Sequence, residues 1–393
     1  MTRDQVRALA REQESRLLAY RRHLHENPEL SFREADTSRF IREKLESFGL
    51  TVLPGFSGYS VVAQLDSGRP GPVILFRADM DALPLQETAV WEHRSRRDGM
   101  MHACGHDVHV AVLLSLAEIL TARPGLLAKG AVRFCFESGE ETLPGGAAAL
   151  VKEGVCEGVD RVFALHCGHS ETGSIVITPG HATLGTGNFL ITVTGRGGHT
   201  GIPQKAVNPV PVLRDIAAAV ERIVPYRLDP ARANTVSVSF LSAGTSERLN
   251  VIPVGGRLGG TVRCLYREDQ EKVYGEIRRT ADAVCALHGC SCETQITDGH
   301  PGLVNDGACL DEIRRAAALL GLTCLEQPPV TAGDDFSLFQ MARPGGYFSL
   351  GLSDPRKPEV NVLHHNPAFF IDEEGIVFGL EMFLALTGSL CGD

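Results

Sequence analysis

Apolar and polar positions alternate along this chain in three successive rhythms. Residues 3–25 and 32–48 repeat every three to four positions, charged on one side and carrying Leu17, Leu18, Leu24, Phe40, Ile41, Leu45 and Phe48 on the other. That spacing predicts two amphipathic helices, separated by the polar break His25-Glu26-Asn27-Pro28-Glu29. Short apolar runs at residues 51–53, 60–65 and 73–78 read as strands, the last two separated by the Gly71-Pro72 turn. An apolar helix over residues 110–120, a strand at 131–136, a helix at 147–152 and a strand at 161–165 continue the pattern. Strand and helix in alternation predict an α/β sheet domain.

Past Pro179-Gly180 the rhythm changes. Residues 188–194, 234–241, 257–264 and 291–296 read as strands, and residues 209–224 and 270–288 as helices. The order is βαββαβ in about 110 residues, the split-βαβ or ferredoxin-like α+β arrangement. The first rhythm then returns, with a helix at 309–320, a loop at 331–336, a strand at 346–350 and a final helix at 373–390. A discontinuous α/β domain, residues 1–183 and 300–393, is therefore expected to carry an inserted α+β domain at 184–299.

Length supports two domains, because 393 residues exceed what one hydrophobic core normally holds. A net charge of −10 argues against a nucleic-acid or anionic-membrane partner. The polar N-terminus, without an apolar signal-peptide core, and the lack of a run of 18 apolar residues give the expectation of a cytoplasmic protein. The eleven cysteines form no paired framework. Cys135, Cys156, Cys264, Cys285, Cys309 and Cys324 sit in apolar runs and read as small buried side chains, while Cys290-x-Cys292 is weak evidence for a metal.

The chemistry concentrates at Met101-His102-Ala103-Cys104-Gly105-His106-Asp107-Val108-His109. Cys104 and His106, with Gly105 between them to turn the backbone tightly, can converge on one metal or on two adjacent ones. Three strands deliver polar groups at their C-terminal ends, where α/β proteins place ligands: Asp79 and Asp81, then Glu140 and Glu141, then His166. Asp79 and Asp81 have an alternative as caps. For Asp81 the favoured role is to accept a ring N–H from a ligand histidine and so fix its tautomer. His102, Asp107 and His109 read as supporting or solvent-facing groups.

Seven motifs occur here in the order seen in the M20 metallopeptidase family. They are Arg22-x-Leu24-His25-x-x-Pro28-Glu29-Leu30-Ser31-Phe32, Arg77 to Pro84, Met101 to Asp107, Glu140-Glu141, Gly195 to His199, Asn250 to Pro253 and Gly260 to Arg263. The branch this chain resembles contains hippurate hydrolase, N-acyl amino acid amidohydrolases, N-acetyldiaminopimelate deacetylase and the auxin-conjugate hydrolases. The resemblance runs from about residue 17 to 385. It implies a metal-dependent exopeptidase-like α/β/α catalytic domain with a ferredoxin-like lid and dimerisation domain. It also implies two divalent metal ions, Zn, Mn or Co, held by Cys104, His106, Glu141, His166 and a C-terminal histidine. His365-Asn366-Pro367, followed by Asp372-Glu373, fits the family register better than His364.

A thiolate at Cys104 can bridge two cations and offset their repulsion. Glu140, pointing away from its neighbour, is left to act as general base. By the resemblance, His199 donates to the oxyanion from the lid, often the partner subunit's, and Asn250 and Arg263 bind the substrate carboxylate. The implied partners are a small N-acyl amino acid and a second copy of the chain. Three departures bear on the acyl group: Thr200-Gly201-Ile202-Pro203 after His199, Asp334-Asp335-Phe336 for Glu-Asp-Phe, and Phe136-Glu137-Ser138-Gly139 for a Gln-Pro-Ala run.

The leading expectation is an amidohydrolase releasing free amino acids from N-acyl amino acids. A dipeptidase or carboxypeptidase on the same scaffold is the alternative, against which the Cys-x-His pair argues. A binding protein without catalysis has no use for Glu140.

Overall fold

The computed structural model describes residues 1–392. In chain order the elements begin with α1 (Arg3–Glu26), α2 (Ala35–Ser47), β1 (Val61–Asp66), β2 (Val73–Asp79), α3 (His106–Ala122), β3 (Ala131–Glu137), α4 (Ala147–Lys152), β4 (Arg161–Glu171), β5 (Ser174–Ile177) and β6 (Gly180–His181). They continue through β7 (Gly185–Thr194), β8 (Gly198–His199), α5 (Pro209–Val220), α6 (Ile223–Arg227), β9 (Asn234–Ala243), β10 (Val251–Ile252), β11 (Gly255–Cys264), α7 (Arg267–His288) and β12 (Ser291–Asp298). The last are β13 (Val304–Asn305), α8 (Gly307–Leu320), β14 (Thr323–Glu326), α9 (Phe336–Ala342), β15 (Gly345–Ser353) and α10 (Ile376–Cys391). The chain forms two compact units: Met1–Ala182, Leu303–Pro329 and Asp335–Asp393 in the first, Thr183–Gly302 and Val330–Asp334 in the second.

In the first unit a seven-stranded mixed sheet runs β1-β3-β2-β4-β15-β5-β14. Strands β3, β2, β4 and β15 are mutually parallel, so their C-terminal ends share one edge. Both faces are covered, which is why β2 and β3 are apolar almost throughout. One side is packed by α1, α2, α3, α8 and α10, the other by α4 and α9. Helix α1 starts with a reciprocal Thr2–Gln5 capping box and buries Val6, Ala10, Gln13, Leu17, Tyr20 and Leu24, a stripe at helical spacing. Helix α10 with its preceding turn, Glu373–Cys391, is long and apolar enough to cross a membrane by length and composition. In this fold 67% of that window is buried, against α1, α3 and α8.

The second unit is the four-stranded antiparallel sheet β12-β7-β11-β9 with α5 and α7 on one face. The βαββαβ order follows from the alternation: Phe189, Ile191 and Val193 of β7 point to the helices, which answer with Val212, Leu213 and Ile216 and with Val273, Ile277 and Ala281.

Several predicted elements differ in detail. Residues 51–53 make only an isolated bridge, Val52 to Ala63. The helix expected over 209–224 splits into α5 and α6, because Pro225 has no N–H to bond the carbonyl of Glu221. The loop predicted at 331–336 is present through residue 335, followed by the unpredicted helix α9 from Phe336, and β5 and β14 extend the sheet beyond the strands predicted. Cys324 is half-buried, whereas the other five cysteines read as buried are buried.

Glu34, just before α2, is fully buried, and its carboxylate accepts a 2.7 Å hydrogen bond from Ser138 Oγ. Burial pushes its pKa up to about 7 from an ordinary 4.5. The folded-state pKa lies above the unfolded one, so the stability Glu34 contributes is complete below about 4.5 and lost as pH rises through 7. Glu34→Gln, neutral at every pH, should therefore raise Tm by several degrees at pH 8 and change it little at pH 5, read by paired thermal melts.

Candidate functional site

Gly105 is where the site begins. Its φ of +85° lies in the left-handed region, and a Cβ there would sit 2.6 Å from Cys167 Sγ, so only glycine fits. This turn starts α3 at His106, four residues before the apolar run, and aims Cys104 and His106 at the shared edge of β2, β3 and β4. His106 Nδ1 lies 3.1 Å from Asp81 Oδ1, two residues past the end of β2. His166, within β4, donates from Nδ1 to its neighbour's carbonyl, Cys167 O, at 2.8 Å, which turns the Nε2 lone pair towards Cys104 Sγ, 3.5 Å away. His365 arrives from the C-terminal stretch. Its N–H bonds Ala103 O at 2.9 Å, and its Nε2 lies 3.2 Å from Glu141 Oε1. His365 adopts φ +59°, a conformation costing a non-glycine residue about 1–3 kcal/mol.

Donor atoms of Cys104, His106 and His166 lie within 4.8 Å of one another, as do those of Cys104, Glu141 and His365, and those of His106, Glu140 and Glu141. The first two groups share the thiol. Asp79, His106 and His109 satisfy the same distance, but the Asp79 and His109 atoms are already engaged. Arg77 Nη1 holds one Asp79 oxygen, His109 Nδ1 the other, and His109 Nε2 accepts from Cys167 N at 3.0 Å. His364 turns away to His169, with Nδ1 2.8 Å from Nε2 of that ring. Burial, then the neighbouring His166, His169 and His365, push its pKa down to about 2.

The cluster fits a divalent cation. His106 Nε2 is buried with no hydrogen-bond partner among the described residues, 3.6 Å from Asp79 Oδ2 and 3.9 Å from Glu141 Oε1. Burial pulls the His106 pKa down, yet Asp79, Asp81 and Glu141 outweigh it and take the ring to about 10. Burial first, then Glu141 and Glu140, push the Cys104 thiol well up. A proton on each therefore stands where a positive ion would otherwise satisfy the carboxylates, and the S, N, O donor set suits zinc-like metals.

Two networks surround the cluster. Arg77, fully buried in β2, meets Asp79 and Glu137 from neighbouring strand positions and Asp335 from the start of α9, at 2.9 Å for the last. Asp335 also accepts from Ala147 N at 3.1 Å, which fastens the far end of the Glu140 loop. On the other side Asp107 Oδ2 accepts from His25 Nδ1 at 2.8 Å and forms an ion pair with Arg21 Nε at 2.9 Å. His102, Asp107 and His109 are all buried, which excludes the solvent-facing alternative. Arg77, Asp335, Arg21 and His25 carry no role in the sequence reading. A charged residue inside an otherwise apolar strand was the available signal, since a buried guanidinium requires carboxylates.

His199, Asn250 and Arg263 lie in the second unit. Val251, next to Asn250, pairs with His199 across β8 and β10. His199 Nδ1 accepts from Gly201 N at 2.9 Å, leaving Nε2 to carry the proton. Arg263 lies half-buried in β11, its pKa lowered by burial.

Residues 75–388 match the peptidase family M20/M25/M40. The chain is 34% identical over 373 residues to thermostable carboxypeptidase 2 of Saccharolobus solfataricus, covering 94% of each. It is 35% identical over 376 residues to N-acetylcysteine deacetylase of Bacillus subtilis, covering 95% of this chain and 96% of that one. A crystal structure of a Bacillus subtilis protein, described as a dinuclear metal binding peptidase from the M20 family, superposes with a TM-score of 0.81 at 32% identity over 97% of this chain and 99% of that one. Motif order, fold and relatives agree: the chain belongs to the peptidase family M20/M25/M40 and is a hydrolase of that family.

Proposed function

We propose that the protein is a metal-dependent amidohydrolase that cleaves N-acyl amino acids to a carboxylic acid and a free amino acid. The observation that carries this reading is the convergence of Cys104, His106, Glu141, His166 and His365 in overlapping groups, with Glu140 beside His106 and Glu141. Those five residues would hold two divalent ions, with the Cys104 sulfur common to both groups. When bound, such ions supply Lewis acidity that activates water and polarises the scissile carbonyl. Glu140 then accepts a proton from the attacking water on a carboxylate oxygen and passes it to the leaving amine nitrogen. Asp81 keeps His106 oriented through Nδ1. His199 would donate from Nε2 to the oxygen that gains charge in the transition state, and Asn250 and Arg263 would take the substrate carboxylate.

The deacetylase relative supports the acyl amino acid as substrate, and the carboxypeptidase relative favours a second reading, cleavage of a C-terminal residue. Both need a free carboxylate on the leaving side. They part at the acyl side, which a panel of acetyl, benzoyl, long-acyl and indole-acetyl amino acids against N-blocked dipeptides resolves by kcat/KM. A preference for the dipeptides of tenfold or more would replace the first reading by the second.

Reconstituted protein should hold about two metal ions per chain, and Cys104→Ala should lose most of them. Glu140→Gln should keep the metal while kcat falls by roughly 10²–10⁴-fold, whereas Glu141→Gln should cost metal affinity. Exchanged phenotypes would reverse the assignment within the pair.

A symmetric homodimer through residues 184–299 is part of the proposal. Strand β9 is an edge of its sheet and presents exposed Phe240 and Leu241, an arrangement that a second copy can cover. His199→Ala should lower kcat by about 10²–10³-fold with KM nearly unchanged. Mixing His199→Ala with Glu140→Gln subunits should restore activity above either parent if His199 acts across the dimer. Heterodimers without recovery would confine His199 to its own chain or to no role.

A further inference from the structure

The segment joining α1 to α2 meets the Glu140–Glu141 loop on both sides of the pair, at Ser138, Gly139 and Thr142. Glu34 accepts from Ser138 Oγ at 2.7 Å. The Phe32 ring lies against Gly139, whose φ is +81°; a Cβ there would meet Phe32 Cε1 at 2.4 Å. Thr142 Oγ1 donates to Ser31 Oγ at 3.0 Å, and Ser31 Oγ donates to Asp81 Oδ2 at 2.6 Å. Asp81 Oδ2 also accepts from Glu141 N at 3.0 Å, while Asp81 Oδ1 faces His106. Glu140 and Glu141 thus stand between Gly139 and Thr142, which the segment holds directly.

The segment is itself strained. Phe32 and His365 are the two non-glycine residues with positive φ among the described residues, at +61° and +59°, and both touch this loop. Phe32 is 44% exposed, so burial of its ring does not explain the conformation. A costly backbone conformation persists where surrounding contacts dictate it, and here those contacts are Ser31 on Asp81 and the ring on Gly139. The left-handed turn at Phe32 puts the hydroxyl of Ser31 and the ring of Phe32 on the same loop, which an extended backbone, with alternate side chains on opposite faces, does not do.

We propose that Ser31 and Phe32 form a clip that positions the Glu140–Glu141 loop: Ser31 ties Thr142 to the carboxylate that orients His106, and the Phe32 ring fixes Gly139. Both are positioning residues, acting through Glu140, Glu141 and Asp81 without meeting the substrate. The inference rests on the roles proposed for that pair.

Removing the outer partners of metal ligands costs about 10–100-fold in affinity or activity, and Ser31 stands one contact further out, so about 3–10-fold is expected. The experiment compares Ser31→Ala, Thr142→Val, Phe32→Asn and Phe32→Tyr with the wild type. It measures Co²⁺ affinity by chelator competition, kcat and KM on the acyl amino acid of the panel with the highest kcat/KM, and Tm. Ser31→Ala and Thr142→Val should bind Co²⁺ about 3–10-fold more weakly and lose kcat by a similar factor with KM within twofold. Phe32→Asn keeps a residue tolerant of positive φ but removes the ring, and should lose kcat without losing Tm. Phe32→Tyr should restore it. Wild-type kcat and Co²⁺ affinity in Ser31→Ala and Thr142→Val, whatever their Tm, would overturn the clip, as would a rise in KM at constant kcat. If Ser31→Ala does not fold, Thr142→Val reads the same link from its exposed end. Failure of the underlying reading shows separately, as wild-type protein that does not bind Co²⁺ or as Glu140→Gln with full activity.

Discussion

Burying acidic groups together is the constraint on which the rest of the first unit depends. At one edge of the sheet lie Asp79, Asp81, Glu137, Glu141 and Asp335, nearly all out of water, and like charges that close raise one another's energy steeply when solvent is absent. Arg77 answers three of them, and its own burial is tolerable only because it meets that many. Asp107 is answered by Arg21 and His25. Glu141 meets imidazoles, His106 and His365, among its described ion-pair partners. The balance of charge thus separates a permanently neutralised frame from a pocket whose charge is left to protons or to a bound cation.

The frame also explains the local backbone. Asp81 receives three hydrogen-bonding groups, from Ser31, Glu141 and His106, and its pKa is lowered against the pull of burial, first by the hydrogen bond from His106. Ionised and fully engaged, it has fixed geometry, and the loop that follows β3 inherits that geometry through Glu141 N. Asp335 fixes the same loop where α4 begins. Rigid strands set the clustered side chains from below, while two short segments from distant parts of the sequence set them from the sides.

What could be read from residues alone follows the range of each interaction. The strands β2, β3 and β4 announce themselves because they are apolar on both faces, and the polar groups at their ends stand out against that background. The second unit's six elements are legible because one face of its sheet is covered and the alternation is clean. Strands β5 and β14 are four residues each and carry too little pattern to register. The pairing of Arg77 with Asp335 spans 258 positions and leaves no trace in local periodicity. That Asp81 would accept a ring N–H from a histidine was legible from chemistry, since a metal-binding imidazole needs an acceptor for its other nitrogen, but that the histidine is His106 was not. Ser31 was visible only as a letter in a motif; its hydroxyl acquires meaning once the turn at Phe32 brings it to Asp81.

The position of β15 in the sheet has a consequence for how the chain reaches its native state. This strand comes from near the end of the sequence, yet it lies in the interior of the sheet, parallel to β4 on one side and antiparallel to β5 on the other. A nascent chain emerging from the ribosome therefore presents β4 with an open edge throughout synthesis of the second unit and of α8. The βαββαβ unit, whose strands and helices are contiguous in sequence, can condense first, while the larger sheet waits for a segment some 180 residues downstream of its partner. Closure of the sheet and delivery of His365 then occur as nearly one event, so the other residues proposed to hold metal meet His365 only when the scaffold that holds them is complete.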